Sequence, residues 1–211
     1  MTGLVLTACG IVAVCDHTPL PAHAPTVGIG DLPAYSPPPR PVAGAVAPPA
    51  AAVRVAPPTR LRIPCIGVDS ALTELQIQED GHLGTPQDPE VAGWWSRGPA
   101  PGGDGTAVIV GHVDSRTGPA VFTGLQALRP GDRIEVNSAD GSTISFTVEA
   151  LRSYGKDQFP DDEVFGDTAG PSLRLITCGG SYDRRLHTYP ANLVVFATPT
   201  LPGAAQQQPF A

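Results

Sequence analysis

Residues 171–198 read PSLRLITCGGSYDRRLHTYPANLVVFAT. Leu173, Leu175 and Thr177 alternate with their neighbours and predict a strand. The alternation stops at Cys178, where Gly179 and Gly180 let the chain turn sharply. A second apolar run, 193–198, predicts another strand. A cysteine at a strand end beside glycines and the Arg184-Arg185 pair is poorly placed for core packing and well placed for covalent chemistry. The competing reading is a small buried hydrophobe.

The same pattern recurs outward from this segment. Alternation or apolar runs predict strands at 60–66 (RLRIPCI), 72–78, 106–110, 132–136 and 143–150. The NSADG run at 137–141 is a hairpin-turn signal. Only 121–128 and 161–165 read as short helices. Sparse aromatics with 24 glycines and 25 prolines favour short strands and many turns. The expected class is all-β, a sandwich or a barrel, and closure into a barrel removes exposed edges. Gly93-Trp94-Trp95 reads as a loop whose indoles cap the core, or alternatively wall a peptide groove.

The 211 residues carry a net charge of −7 with no basic cluster, which argues against nucleic acid as a partner. Four cysteines (Cys9, Cys15, Cys65, Cys178) at these spacings form neither a disulfide scaffold nor a zinc signature. Cys65 alternates with Leu61 and Ile63 and reads as a buried free thiol rather than a partner for Cys178. No acidic cluster suggests a metal, and no cofactor is expected.

Residues 1–15 are uncharged and apolar, at a length below the roughly 20 residues of a spanning helix. They read as an export or anchor segment cut short at its start. A short buried segment is the alternative. Residues 16–59 are rich in proline and alanine without apolar periodicity, which predicts a disordered linker. At about 3.1 Å per residue in polyproline geometry, it would hold a domain roughly 100 Å from its anchor. The folded domain is expected over 60–200, with a disordered tail at 201–211.

Among the five histidines, His17 and His23 lie in the linker and His82 in a polar turn. His112 follows the apolar run 106–110 and is the preferred acid/base, with His187 as its rival. Asp114 reads as a turn residue, or as a third group that orients His112.

Over 60–198 the chain resembles the sortases, cysteine transpeptidases of Gram-positive bacteria. LITC at 175–178 fits their nucleophile motif and Gly111-His112 their histidine motif, in the family's order of His, Cys, Arg. The stretches DPEVAGWWSRGPAPGGDGTAVIVGHVDS, FTGLQALRPGD and LITCGGSYDR are most similar to the actinobacterial class F. The resemblance implies a closed eight-stranded β-barrel with one or two short helices. It also implies that Cys178 cleaves an LPxTG-like sorting signal on secreted proteins between Thr and Gly, with His112 as acid and base. The thioester would then pass to an amine on a peptidoglycan precursor or pilin. Thr177 and Gly179 are implied substrate-binding residues. An extracytoplasmic place, membrane-anchored through the N-terminal segment and facing the wall of an actinobacterial cell, follows from the same resemblance.

The family's oxyanion-stabilising arginine sits just before the last strand, near Asn192 here, and 188–193 (TYPANL) contains none. Arg184 is the expected replacement and Arg185 the second choice. Two other functions fit the same barrel. One is a peptide-binding scaffold without catalysis, and the other a thiol hydrolase that releases its acyl group to water.

Overall fold

Alternation along β9 (Pro171–Gly179) sorts its side chains onto two faces. Leu173 and Leu175 enter one apolar cluster with Leu61, Ile63, Ile109, Phe122, Ile134, Phe146 and Val195. Ile176 belongs to a second cluster with Val108, Ala150, Val164, Val194 and Phe196. Both faces are covered, so Ser172 to Thr177 are all buried. A strand buried on both sides belongs at the middle of a layered structure.

The computed structural model describes residues 28–33 and 55–200. Its remaining barrel strands are β1 (Pro58–Ile63), β2 (Val68–Leu75), β3 (Ala92–Trp95), β4 (Gly105–Val110), β7 (Arg133–Ser138), β8 (Thr143–Gly155) and β10 (Ala191–Pro199). They close in the order β1-β2-β3-β4-β9-β10-β8-β7. This is the expected eight-stranded closed barrel, with the first cluster filling its interior. The pairs β2–β3 and β4–β9 are parallel and the other barrel pairs antiparallel. A two-stranded ribbon, β5 (Asp114–Ser115) with β6 (Gly118–Pro119), follows β4. The one α-helix among the described residues, α1 (Asp161–Phe165), brings Val164 onto the outer cluster.

Several local expectations change. Pro64 ends β1, and Pro64–Ile66 form a 3-10 turn, so Cys65 leaves the alternation and is half-buried at the edge of the core, as a free thiol. β2 starts earlier than its apolar pattern suggests, at Val68, and ends at Leu75. The expected helix at 121–128 contracts to a 3-10 turn at Leu125–Ala127. Gly93-Trp94-Trp95 is strand rather than loop: Trp94 enters the interior and Trp95 packs on the outer cluster.

Within the stretch read as linker, residues 28–30 lie against β8. β7 stops pairing β8 at Thr147, which leaves the next part of that strand edge open. Ile29 occupies it, exchanging backbone hydrogen bonds with Leu151 at 3.0 and 2.8 Å. The Arg152 guanidinium donates to the carbonyls of Ile29 and Gly30 at 2.9 and 2.6 Å. Gly30 adopts φ +81, and a Cβ there would stand 2.0 Å from the Glu149 carbonyl oxygen. Only glycine fits this approach. The segments read as anchor (1–15) and tail (201–211) lie outside the described residues.

Candidate active site

β4 and β9 run parallel with Val110 opposite Ile176. The Gly111 amide donates to the Ile176 carbonyl at 3.1 Å and carries the pairing one step further. A Cβ on Gly111 would lie 2.7 Å from the Phe122 ring, so the close packing there requires glycine. His112 and Cys178 each stand two residues beyond the paired Val110 and Ile176. By pleat parity both return to the outer face, and both are half-buried. The outer apolar cover ends at Ile176, which is why Cys178 gains access to solvent.

His112 is held from two sides. Its carbonyl accepts from the Phe122 amide at 2.9 Å, and its Nε2 lies 2.8 Å from the Pro86 carbonyl oxygen. A carbonyl can only accept, so Nε2 carries the hydrogen and Nδ1 is left as the basic nitrogen. Asp114 does not orient this ring. Its carboxylate accepts from the Tyr189 hydroxyl, which ties the β9–β10 connection to β5. That hydrogen bond is the main cause that pushes the Tyr189 phenol up to about 12, with burial and the charges of Asp114, Cys178 and Tyr182 acting in the same direction.

Cys178 lies opposite Asn192 on β10, and Asn192 in turn lies opposite Tyr154 on β8. Directly opposed residues share a face, so these three form a row across the outer surface. The Lys156 Nζ, just past the end of β8, donates to Cys178 Sγ at 3.8 Å. The Lys156 amide donates to the Pro190 carbonyl at 3.0 Å, which fixes its backbone beside the start of β10.

The other expected residues fall elsewhere. Arg184 and Arg185 are exposed at the tip of the β9–β10 connection, closed by paired backbone bonds between Asp183 and Thr188. The Asp183 carboxylate accepts from the Arg185 and Leu186 amides and shapes this tip. No hydrogen bond joins either guanidinium to Cys178 among the described residues. His187 is exposed at the same tip with φ +50, its Nδ1 3.5 Å from the Tyr182 hydroxyl. Thr177 faces inward, 3 % exposed, with its hydroxyl unpartnered. Gly179 continues β9 beside the nucleophile, where a Cβ would stand 3.1 Å from the Leu193 nitrogen. Pro86, Tyr189 and Lys156 were not singled out in the sequence, since nothing local ties them to His112, Asp114 or Cys178. No group of three or more metal-binding side chains occurs among the described residues.

The outer-face Cys–His arrangement on a closed barrel can be set beside known proteins. A family model described as the sortase domain matches residues 61–200. Sortase A from Corynebacterium diphtheriae, as a lid mutant, is similar in structure with a TM-score of 0.55 at 20 % identity, covering 72 % of this chain and 75 % of that one. Sortase C-1 from Actinomyces oris gives 0.53 at 21 %, covering 68 % and 74 %. Sortase C1 from Streptococcus agalactiae gives 0.54 at 20 %, covering 68 % and 67 %. Among curated protein sequences none matches. At these identities the structural likeness speaks for the fold, while the family match spans most of the chain and includes both Cys178 and His112: the chain belongs to the sortase domain family, a family of cysteine transpeptidases.

Proposed function

We propose that this protein is an active transpeptidase of the kind nearest to class F, in which Cys178 is the nucleophile and His112 the acid and base. The observation that carries this reading is that Cys178 and His112 each stand two residues beyond the Val110–Ile176 pair of the parallel strands β4 and β9. The Cys178 thiol passes its proton to His112 Nδ1, and the thiolate so formed attacks the Thr carbonyl of an LPxTG-like sorting signal. The tetrahedral intermediate collapses to a thioester, and His112 protonates the departing Gly amine at the nitrogen left basic by the Pro86 contact. An incoming amine on a peptidoglycan precursor or pilin loses its proton to His112 and resolves the thioester. Thr177 and Gly179 flank the nucleophile and offer main chain, rather than the buried Thr177 hydroxyl, to the substrate. The oxyanion donor expected from the sequence, Arg184 or, second, Arg185, has no hydrogen bond to Cys178 among the described residues, so this reading leaves that component open.

Such an enzyme works outside the cytoplasm, against the cell wall, and residues 1–15 would anchor it with 16–59 as its tether. No helix among the described residues is long and apolar enough to cross a membrane.

The test is intact mass spectrometry of the full chain mixed with a labelled LPxTG-type peptide. Wild type is expected to gain the mass of the acyl fragment, and the Cys178→Ala variant to gain none. The His112→Ala variant is expected to lose at least about 100-fold in turnover. A product whose mass follows the added amine supports transfer, and release only to water favours the hydrolase. Peptide binding with no adduct on wild type would leave a scaffold.

A further inference from the structure

We propose that Lys156 is a catalytic residue of this site, the cation that stabilises the oxyanion formed on Cys178. The assignment rests on the transpeptidase reading above and names a component that the reading leaves open. Acyl transfer to a thiolate places negative charge on an oxygen one C–S bond and one C–O bond from the sulfur. A preorganised donor about 2.7–3.1 Å from that oxygen accounts for a large share of the rate. Among the described residues, one side chain hydrogen-bonds Cys178 Sγ, and it is a cation: Lys156 Nζ, at 3.8 Å. That distance leaves room for the oxyanion to enter between sulfur and nitrogen with a small movement of either.

The strand geometry explains why a residue 22 positions away in sequence arrives there. β10 runs between β8 and β9. In the row nearest the site, Cys178, Asn192 and Tyr154 lie abreast. The next row is Gly179, Ala191 and Gly155. Lys156 follows at the start of the 3-10 turn Lys156–Gln158, its amide bonded to the Pro190 carbonyl. Neither Arg184 nor Arg185 has a hydrogen bond that aims it toward the sulfur, whereas the Lys156 backbone is pinned beside the site.

The step balances as follows. The thiol proton passes to His112 Nδ1, the Cys178 sulfur pair forms the C–S bond, and the carbonyl π pair moves onto oxygen beside the Lys156 ammonium. The oxygen pair then re-forms the carbonyl as the C–N bond breaks, and His112 gives its proton to the leaving amine. Lys156 keeps its protons throughout and acts by charge and hydrogen bonding.

The experiment compares wild type with the Lys156→Met, Lys156→Arg, Arg184→Ala and Arg185→Ala variants. The readouts are kcat and KM with a labelled LPxTG-type peptide, and the rate at which iodoacetamide alkylates Cys178. Lys156→Met is expected to lose about 100-fold, mainly in kcat. Lys156→Arg is expected to recover most of that loss, and either arginine variant to lose at least tenfold less than Lys156→Met. Alkylation forms no oxyanion, so it is expected to slow far less than peptide cleavage. Turnover of Lys156→Met within twofold of wild type overturns the assignment. So does an equal loss in Arg184→Ala or Arg185→Ala, or a loss seen only in KM. A wild-type chain that forms no acyl-enzyme overturns the transpeptidase reading, and the assignment with it.

Discussion

At the scale of single residues, the site is built by contacts between parts of the chain far apart in sequence. Tyr189 illustrates this. Its hydroxyl donates to Asp114 across 75 positions and holds the β9–β10 connection against the ribbon that follows His112. The phenol is raised to about 12, so the folded state favours its neutral form relative to the ordinary value near 10. Its stabilising contribution is therefore fully present below pH 10 and is lost as pH rises toward 12. The unfolding free energy of wild type minus that of Tyr189→Phe should stay constant from pH 7 to 10 and shrink above it. A difference that does not change between pH 9 and 11.5, in parallel urea titrations, would contradict this. Cys178 and His112 were legible in the sequence because each ends an apolar run and stands beside glycine. Lys156 was not, because an exposed lysine after a strand has no local mark. Its relation to Cys178 exists only once β10 lies between β8 and β9.

At the scale of elements, alternation identified the strands with strong apolar patterning and missed those held by their neighbours. β9 and β4 were readable since both are buried on two faces. β3 was hidden by its glycine and by flanking prolines, and it forms because Leu75 on β2 and Val110 on β4 offer it partners on both sides. The 121–128 segment has a helix-like pattern, yet it closes only as 3-10-type turns, with Phe122 and Leu125 drawn into the core. The proline-rich stretch gave no sign that Ile29 would fill an open edge of β8, since two residues of bonding register lie below any periodicity. Gly30→Ala should dislodge that segment, because the added methyl would collide with the Glu149 carbonyl. The loss is worth about 2 kcal/mol for the paired backbone bonds. Hydrogen exchange at the Leu151 amide should accelerate at least tenfold, while amides of β4 and β9 keep their protection. Unchanged exchange at Leu151 would mean that the contact holds without the glycine.

At the scale of the whole molecule, one interior cluster joins residues from every barrel strand, so the barrel should unfold as a unit. Phe146 on β8 is fully buried in it. Its replacement by alanine is expected to cost about 3–5 kcal/mol, read as a lower urea midpoint with an unchanged slope. A change in slope would indicate that part of the barrel unfolds separately. The closed topology was legible as an expectation from the all-β pattern and the family motifs, whereas the strand order depends on long-range pairings that no local window contains. The parallel β4–β9 ladder has one further consequence. Because nucleophile and base are both counted from the same rung, the pleat acts as a ruler with two-residue divisions. Inserting or deleting one residue in either strand near that rung would turn its reacting side chain into the barrel. The separation of cysteine and histidine can therefore change only in even steps, and loops may lengthen freely around a spacing that the ladder quantises.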